Sequence, residues 1–542
     1  MAFEIKERDI MGRTGTIRTK TGKIRTPVLL PVVNPMKITV PPEELEREFG
    51  CDAIITNAYI LYKNLRCEAI KKTVHRLLDF SKSIMTDSGA YQLLVYGQVD
   101  VSSSEIITFQ EKIDSDIAVI LDVPTGGSAS YSHARDTVME TIRRAKESEA
   151  IRTKEDLLWV GPIQGGTNLD LVQLCAEEMG KLDFDIHAIG SPTQLMEQYR
   201  FDQIVELIMS AKMNLPLERP VHLFGAGHPM MFSLAVLLGC DVFDSAAYAL
   251  YAAQGRYMTN QGTVRMGNLK ESICLCPVCR RIDPQEINQL PPNEREIVIS
   301  RHNLYVSLNE IRKIRQAIYD GRLWEFVEMR SRAHPKLLQS LYRLKKYSKY
   351  LERFTPLIKK RGIFYCGTSS LSRPETIRHI ERLKRYEKPE KTDIMVVLPE
   401  PRTKPYRRSI EHRRYQEIFE EFSAKERERF HVFTVSMLFG LTPRELEDIY
   451  PLSQHEVLDE YQYESVETIS NAFEEYVSTH IYKTVVFYNN WDKYGNELVE
   501  AFRKGSDLRG IRFICLPNKM AERTDRATLN EFKKALIMAL SD

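Results

Sequence analysis

The sequence predicts an α/β protein that begins with a closed (β/α)8, or TIM, barrel and continues into a smaller, separate α/β domain. Short apolar segments alternate eight times with amphipathic stretches in about the first 245 residues. A cluster of cysteines follows, and a second series of strand candidates begins near residue 362. A doubly wound open sheet is the competing arrangement, but the sequence lacks the glycine-rich loop of its nucleotide-binding members.

The strand candidates of the barrel are short, often rich in Val and Ile, and end in Gly, Pro, Asp or Ser. They are Thr26–Val33, Ala53–Thr56, Ser83–Thr86, Ile117–Leu121, Leu157–Ile163, Ile186–Ile189, Val221–Phe224 and Asp241–Phe243. Stretches of helical period lie between them, among them Ser103–Ile113, Ala134–Ala145, Leu169–Leu182 and Phe201–Met213. Eight such strand–helix units favour closure into a barrel.

Cys274, Cys276 and Cys279 lie within six residues, and His302 follows after 22 more. Three thiolates and one imidazole complete a tetrahedral Zn²⁺ shell without an open position, which is typical of a structural site. The other cysteines of the nine are scattered, which argues against chance clustering. We therefore expect one structural Zn²⁺ per chain, in a subdomain inserted at about residues 268–335.

Polar residues end four of the predicted strands: Asp87, Asp122, Gln164 and Asp244. Barrel active sites lie at the carboxyl ends of the strands. Carboxylates that converge there repel one another and separate their pKa values, an arrangement used for a nucleophile and an acid/base at a glycosidic carbon. Each aspartate alone could instead cap a helix or form an Asx turn. Taken together, they favour an active site.

Small and aromatic residues at the same strand ends fit a flat ligand. Gly190 and neighbouring glycines let the backbone approach a planar base, although turn geometry alone also explains glycine there. Tyr91 could stack on such a base or simply pack. His228 could be catalytic, but a histidine beside proline is more often structural.

Charge and hydropathy exclude several classes of protein. The 76 basic and 74 acidic residues give a net charge of +2, which excludes a uniformly basic nucleic-acid coat protein. Within Leu341–Arg361, eight Lys/Arg accompany one Glu and interleaved tyrosines, as in a solvated helix face or an RNA-binding surface. No apolar run is long enough to span a membrane and no signal segment is present, so we expect a cytoplasmic protein.

The motifs DSGAYQ, PIQGG, AIGSP, FGAGHP and FDSA, followed by C-x-C-x2-C-x22-H, resemble those of the tRNA-guanine transglycosylases, especially the archaeal branch. The resemblance covers roughly residues 1–335 and implies a TIM barrel with an inserted zinc subdomain. It also implies exchange of guanine 15 in the tRNA D-arm for 7-cyano-7-deazaguanine, a step of archaeosine biosynthesis that needs no ATP. Family members form homodimers, which implies the same here.

The resemblance also implies a role for each candidate residue. Asp244 matches the nucleophile that attacks C1′ and forms a covalent aspartyl–ribose intermediate. Asp87 matches the general acid/base that acts on the base nitrogen. The remaining matches hydrogen-bond the edge of the base (Asp122, Gln164 and Gly190) or stack on it (Tyr91). Ala90 stands where the family usually has Gly or Ser, and we expect no change of chemistry from it.

Residues 362–542 form the predicted C-terminal domain, after a basic helical linker at 336–361. Full-length archaeal members end in a PUA RNA-binding module; we expect none here and infer that a separate polypeptide could supply it in trans. Pro399–His412 resembles the signature of archaeosine synthase, but Glu400 replaces its cysteine. We therefore expect a vestigial domain kept for RNA binding or packing.

Two other functions stay open from the sequence. The first is an archaeosine synthase acting on tRNA that already carries 7-cyano-7-deazaguanine, against which Glu400 argues. The second is a non-catalytic RNA-binding subunit of a transglycosylase heterodimer, against which the retained Asp244 argues.

Overall fold

The computed structural model describes residues 2–90, 101–127, 129–190, 192–458, 463–489, 494–516 and 526–541. The chain divides into two compact units, residues 1–344 and 345–542. The segment predicted as a basic linker is shared between them, because helix Pro335–Arg343 belongs to the first unit and helix Ser348–Glu352 to the second.

The first unit begins with an antiparallel sheet of strands β1 (Phe3–Asp9), β2 (Gly12–Arg18) and β3 (Lys23–Thr26). Ile17 and Ile24 from this sheet pack into one hydrophobic cluster with residues that begin the barrel strands. The sheet therefore covers the amino-terminal end of the barrel. The predicted strands begin only at Thr26, so this sheet is an addition to the prediction. Its middle strand, GRTGTIR, consists mostly of glycine and polar residues and contains no apolar run.

In the described part of the chain, eight parallel strands then form a closed barrel. They are β4 (Val28–Val33), β5 (Ala53–Asn57), β6 (Ser83–Asp87), β7 (Ile117–Val119), β8 (Leu158–Ile163), β9 (Ile186–Ile189), β10 (Val221–Leu223) and β11 (Val242–Ser245). Each strand pairs with the next, and β11 pairs in parallel with β4 to close the ring. The predicted barrel is confirmed, and the open sheet is excluded.

Helices follow the barrel strands: Pro42–Arg47, Ala58–Leu78, Ser103–Lys112, Tyr131–Ile151, Leu169–Met179, Thr193–Glu197, Phe201–Lys212, Pro229–Leu237 and Ala247–Ala253. Local sequence fixes where several begin. Ser102 and Glu105 form a reciprocal capping box at the start of Ser103–Lys112. At helix Tyr131–Ile151, the Ser130 hydroxyl accepts a hydrogen bond from the His133 N–H and caps the first turn.

The rest of the first unit comprises hairpin β12 (Arg256–Thr259) and β13 (Gly262–Arg265), then helices Pro284–Gln289, Pro292–Asp320, Leu323–Ser331 and Pro335–Arg343. The longest of these, Pro292–Asp320, lies along the barrel. Arg312 donates to the Phe49 carbonyl at 3.0 Å, and Arg315 donates to the Pro27 carbonyl at 2.9 Å. One element thus supports the barrel and, through His302, the predicted metal site.

The described strands of the second unit are β14 (Ile363–Phe364), β15 (Ile394–Pro399), β16 (Phe430–Ser436), β17 (Gly440–Pro443), β18 (His455–Glu456), β19 (Thr484–Tyr488) and β20 (Arg512–Leu516). Five of them form a sheet in the order β17-β16-β15-β19-β20, with β17 antiparallel at one edge, and β14 pairs separately with β18. The α-helices of this unit, apart from Ser348–Glu352, are Pro374–Leu383, Ile410–Glu420, Ala424–Arg427, Tyr463–Thr479, Gly495–Asp507 and Arg526–Leu540. Hydrophobic clusters cover both faces of the sheet, as expected for the predicted α/β domain.

The described helices agree with the sequence, in which no apolar run is long enough to span a membrane. None of those helices combines the length and the apolar composition that crossing a bilayer requires.

Candidate active site and metal centre

Asp244 is the third residue of β11, and its carboxylate is held through one oxygen. Oδ1 accepts hydrogen bonds from His222 Nε2 at 2.9 Å and from the Gly225 backbone N–H at 2.8 Å. Gly225 has φ of +64°, a conformation that glycine adopts without strain. Within the residues the structure describes, Oδ2 has no hydrogen-bond partner, and the side chain is 13% exposed. Oδ2 is therefore the oxygen whose lone pairs remain available for reaction.

Asp87 ends β6 and is partly buried at the mouth of the barrel. Its Oδ2 accepts hydrogen bonds from Asn57 Nδ2 at 2.9 Å and from the Gly89 N–H at 3.3 Å. Burial, with smaller contributions from the negative charges of Asp122 and Asp244, raises the pKa of Asp87 to about 7. A carboxyl group with this pKa can both donate and accept a proton near neutral pH.

Asp122 and Gln164 form a buried pair at the ends of β7 and β8. Gln164 Nε2 donates to Asp122 Oδ2 at 2.5 Å, and Gln164 Oε1 accepts from the Thr125 N–H at 3.0 Å. Burial raises the pKa of Asp122 to about 6, against the opposing effect of the hydrogen bond from Gln164. A β-carbon at Gly190, which follows β9, would overlap the Gln164 side-chain amide. Because Gly190 has no side chain, the Gln164 amide has room beside it.

The structure brings five of the six sequence-predicted active-site residues to the carboxyl ends of the barrel strands: Asp87, Asp122, Gln164, Gly190 and Asp244. Tyr91 lies outside the described residues. Two residues outside the predicted set hold the aspartates: Asn57 binds Asp87, and His222 binds Asp244. Asn57 carried the same signal as Asp87, a polar residue at the end of a strand, whereas His222 lies inside an apolar segment and carried none.

His228 has a structural position. It precedes helix Pro229–Leu237, and its Nδ1 accepts a hydrogen bond from the Met230 N–H at 3.2 Å. Burial lowers the pKa of the His228 imidazole to about 4, so the ring is neutral and suited to accept this bond. His228 therefore caps a helix.

The predicted metal ligands Cys274, Cys276, Cys279 and His302 lie together, with their ligand atoms all within 4.8 Å of one another. Cys276 Sγ is 3.6 Å from both Cys279 Sγ and His302 Nδ1, and Cys279 Sγ is 3.3 Å from His302 Nδ1. A Zn²⁺ ion with bonds of about 2.0–2.3 Å to such atoms requires ligand separations close to these values. The four side chains could hold a metal ion.

Neighbouring groups orient the histidine toward the thiolates. His302 Nε2 donates to the Met258 carbonyl at 2.9 Å, which leaves the Nδ1 lone pair directed at the cluster. The Tyr257 ring stacks on His302 with centroids 3.5 Å apart, and its hydroxyl lies 3.2 Å from Cys279 Sγ. Hairpin β12–β13 thus fixes the tautomer and plane of a ligand that comes from the long helix.

A family model described as Queuine tRNA-ribosyltransferase matches residues 9–336. The chain belongs to this family. Its members are pentosyltransferases, so the protein is an enzyme that transfers groups at a ribose carbon. A second model, described as a domain of unknown function (DUF5591), matches residues 376–536, inside the second unit.

Relatives in methanogens align with most of the chain. A tRNA-guanine(15) transglycosylase of Methanocaldococcus jannaschii is 46% identical over 86% of this chain and 70% of the relative. Proteins of the same name from Methanococcus vannielii and Methanobrevibacter smithii are 44% and 41% identical, over 85% and 90% of this chain and 70% and 73% of the relatives. The sequence-based assignment to this family is confirmed.

Proposed function

We propose that this protein is a tRNA-guanine(15) transglycosylase that replaces guanine 15 of the tRNA D-arm by 7-cyano-7-deazaguanine, as a step of archaeosine biosynthesis. The observation that carries the proposal is the pairing of Asp244, with Oδ1 tethered and Oδ2 available, and Asp87, with a pKa near 7, at one barrel mouth. The names of the relatives support the same substrate position.

In the first half of the reaction, Asp244 Oδ2 attacks C1′ of the target nucleotide. The bond from C1′ to N9 of guanine breaks, and its electron pair stays on the base. The protonated form of Asp87 supplies the proton that the departing guanine takes up. The ribose remains joined to Asp244 through an ester, and the RNA backbone stays intact.

In the second half, the ionised Asp87 accepts the ring N–H proton of 7-cyano-7-deazaguanine. The deprotonated ring nitrogen then attacks C1′ from the face opposite Asp244, which leaves as a free carboxylate. One glycosidic bond replaces another, so the exchange needs no energy source. Two displacements at the same carbon retain the configuration of the ribose.

The buried pair Asp122–Gln164, together with Gly190, would recognise the base. Asp122 can accept hydrogen bonds from the N–H groups of a guanine edge, and the Gln164 amide can donate to its carbonyl oxygen. Guanine and 7-cyano-7-deazaguanine share this edge, so one pocket serves both the leaving and the incoming base. Gly190 leaves room for the Gln164 amide, and we assign Tyr91 to stacking on the base.

We assign a structural Zn²⁺ to the cysteine and histidine cluster. Cys274, Cys276, Cys279 and His302 would hold the ion with all four positions filled, so it would supply rigidity between a loop and the long helix. A homodimer is a further part of the proposal. RNA contacts outside the barrel would offset the cost of extruding guanine 15 from the D-arm, a few kcal/mol.

Incubation of the protein with unmodified tRNA and radiolabelled guanine tests the proposal. We expect label to enter the tRNA, to be chased by 7-cyano-7-deazaguanine, and to map to nucleotide 15 after nuclease digestion and mass spectrometry. Asp244→Ala should abolish incorporation while tRNA binding and metal content stay at wild-type values. No incorporation by the wild type, even with a candidate PUA partner added, would refute the enzyme assignment.

The two alternatives lack a specific observation in their favour. Glu400 is ion-paired and hydrogen-bonded in the second unit and provides no thiol for a nitrile. Product formation from 7-cyano-7-deazaguanine tRNA and an ammonia donor would nevertheless support a synthase. A purely RNA-binding subunit requires no nucleophile, so activity lost in Asp244→Ala would exclude it.

A further inference from the structure

The part of the chain that directly follows Asp244 is basic. From residue 245 to residue 270 the sequence contains three cations, Arg256, Arg265 and Lys270, and no acidic residue. This segment comprises helix Ala247–Ala253 and hairpin β12–β13. The helix carries no charged side chain, so the positive charge of the segment comes from the hairpin and from Lys270.

The hairpin pairs its two arginines directly. Arg256 on β12 is opposite Arg265 on β13 in the register of the strands. Like charges that are directly opposite in an antiparallel pair repel each other and destabilise it. Among the residues that the structure describes, neither guanidinium forms an ion pair with a carboxylate. An anion bound by both side chains would relieve this repulsion.

Two contacts hold the Arg256 side chain in place. Its guanidinium carbon lies 3.8 Å from the centroid of the Tyr251 ring, and its Nη2 donates to Thr263 Oγ1 at 3.1 Å. Arg256 is half-buried, whereas Arg265 is exposed. The stacking uses the flat face of the guanidinium and the hydrogen bond uses one N–H, which leaves other donors for a ligand. Arginine donors of this kind form paired hydrogen bonds with phosphate.

The hairpin lies beside the loop that holds the nucleophile. Tyr251 belongs to the helix that begins three residues after Asp244, and its ring centroid is 6.3 Å from that of His228. The loop of His228 also contains Gly225, whose N–H donates to Asp244 Oδ1. Burial and, to a smaller extent, the positive charge of Arg256 lower the pKa of His228, which agrees with a guanidinium close to this loop. The arginines therefore lie next to the barrel mouth on the side of Asp244.

We propose that Arg256 and Arg265 bind backbone phosphates of the tRNA beside the nucleotide whose C1′ faces Asp244. The proposal deepens the proposed function and rests on it for the choice of tRNA as the anion. Phosphate contacts carry no sequence information, so the two arginines would position the target ribose without selecting the base. Their binding energy would help to hold the extruded nucleotide, whose unstacking costs a few kcal/mol.

The test compares the wild-type full chain with the variant Arg256→Gln/Arg265→Gln. The dissociation constant for an unmodified tRNA transcript is measured at several salt concentrations. Each lost phosphate contact lowers the magnitude of the slope of log K against log salt by roughly 0.7–0.9, so we expect a decrease of about 1 to 2. In guanine exchange, KM for tRNA should rise roughly 10-fold. KM for 7-cyano-7-deazaguanine should keep its wild-type value, because the free base carries no phosphate.

A second cross-strand pair of cations in the same unit provides a matched control. Arg18 and Lys23 are exposed and opposite each other on β2 and β3, in the sheet that covers the amino-terminal end of the barrel. Arg18 is paired with Glu4 at 2.8 Å. The variant Arg18→Gln/Lys23→Gln removes the same charge from the end of the barrel away from Asp244 and should keep the wild-type salt slope. Equal losses in the test and control variants, or a wild-type slope in the test variant, would overturn the proposal.

A charge-conserving variant separates phosphate binding from packing. Arg256→Lys/Arg265→Lys keeps both charges and should keep most of the salt slope, since counterion release depends on charge. A loss as large as that of the glutamine variant would show that charge is not the cause and would refute the proposal. Thermal unfolding checks that the variants are folded. If the double glutamine variant is not, Arg265→Gln alone should lower the slope by roughly 0.7–0.9, because no described residue binds this exposed side chain.

Guanine exchange by the wild type is measured separately from tRNA binding. Binding that depends on Arg256 and Arg265 without any exchange would refute the proposed function and keep the phosphate contact. Normal exchange together with a salt slope that does not depend on the two arginines would refute the phosphate contact alone.

Discussion

The hydrogen bonds to Asp244 Oδ1 determine which of its oxygens can react. His222 Nε2 and the Gly225 N–H both donate to Oδ1, and this also fixes the plane of the carboxylate. His222 is fully buried. It therefore acts as a positioning residue for Asp244.

We expect His222→Phe to lower kcat for guanine exchange about 100-fold, because a misplaced nucleophile loses its alignment with C1′. KM for tRNA should change little, because the buried His222 side chain is not exposed to the RNA. His222→Gln should restore part of kcat, because its amide can donate to Oδ1. Equal kcat in wild type and His222→Phe would remove His222 from this role.

The raised pKa of Asp87 makes the stability of the folded protein depend on pH. Burial, with the charges of Asp122 and Asp244, raises its pKa to about 7 from an ordinary value of 3.8. The folded protein thus binds this proton more tightly than the unfolded chain. The stabilisation of the folded state by this proton is complete below about pH 4. It is lost as the pH rises through about 7.

We therefore expect Asp87→Asn to gain stability over the wild type as the pH rises from 4 to 8, by about 1–3 kcal/mol. The free energy of unfolding of both proteins, measured by denaturant titration across this range, gives the difference directly. Asp79→Asn, a change in an aspartate at the end of helix Ala58–Leu78, serves as a surface control. A difference between wild type and Asp87→Asn that is independent of pH would contradict the raised pKa.

At the scale of elements, the Cys/His cluster brings a loop of the first unit together with its long helix. The cysteines lie in the loop between β13 and helix Pro284–Gln289, and His302 comes from helix Pro292–Asp320. Hairpin β12–β13 orients His302 through the Met258 carbonyl. A bound ion would therefore stabilise the loop, the hairpin and the helix together.

We expect Cys276→Ser to lose its bound zinc, about one ion per chain, and to unfold at a lower temperature, because a missing thiolate opens the metal shell. Metal analysis of the purified protein and a thermal melt measure both effects. Cys67→Ser, a change of an exposed cysteine far from the cluster in sequence, should keep its zinc. Wild-type zinc content in Cys276→Ser would argue against Cys276 as a ligand.

At the scale of the whole molecule, the proposed chemistry belongs to the first unit alone. This unit carries the aspartates and the Cys/His cluster, and the second unit is built on its own α/β sheet. In the second unit Glu400 replaces the signature cysteine and is surrounded by partners. These contacts give Glu400 a packing role within the second unit.

The sequence by itself determined the barrel, the four residues that could hold a metal ion and the strand ends that carry Asp87, Asp122, Gln164 and Asp244. These features are local, because alternating apolar segments, ligand spacing and polar strand ends are visible along the chain. Only the tertiary structure decided the sheet that covers the barrel, the Asp244 oxygen that no described residue binds and the raised pKa of Asp87. These depend on burial and on partners distant in sequence, such as His222 for Asp244 and Asn57 for Asp87, and no local pattern records such contacts.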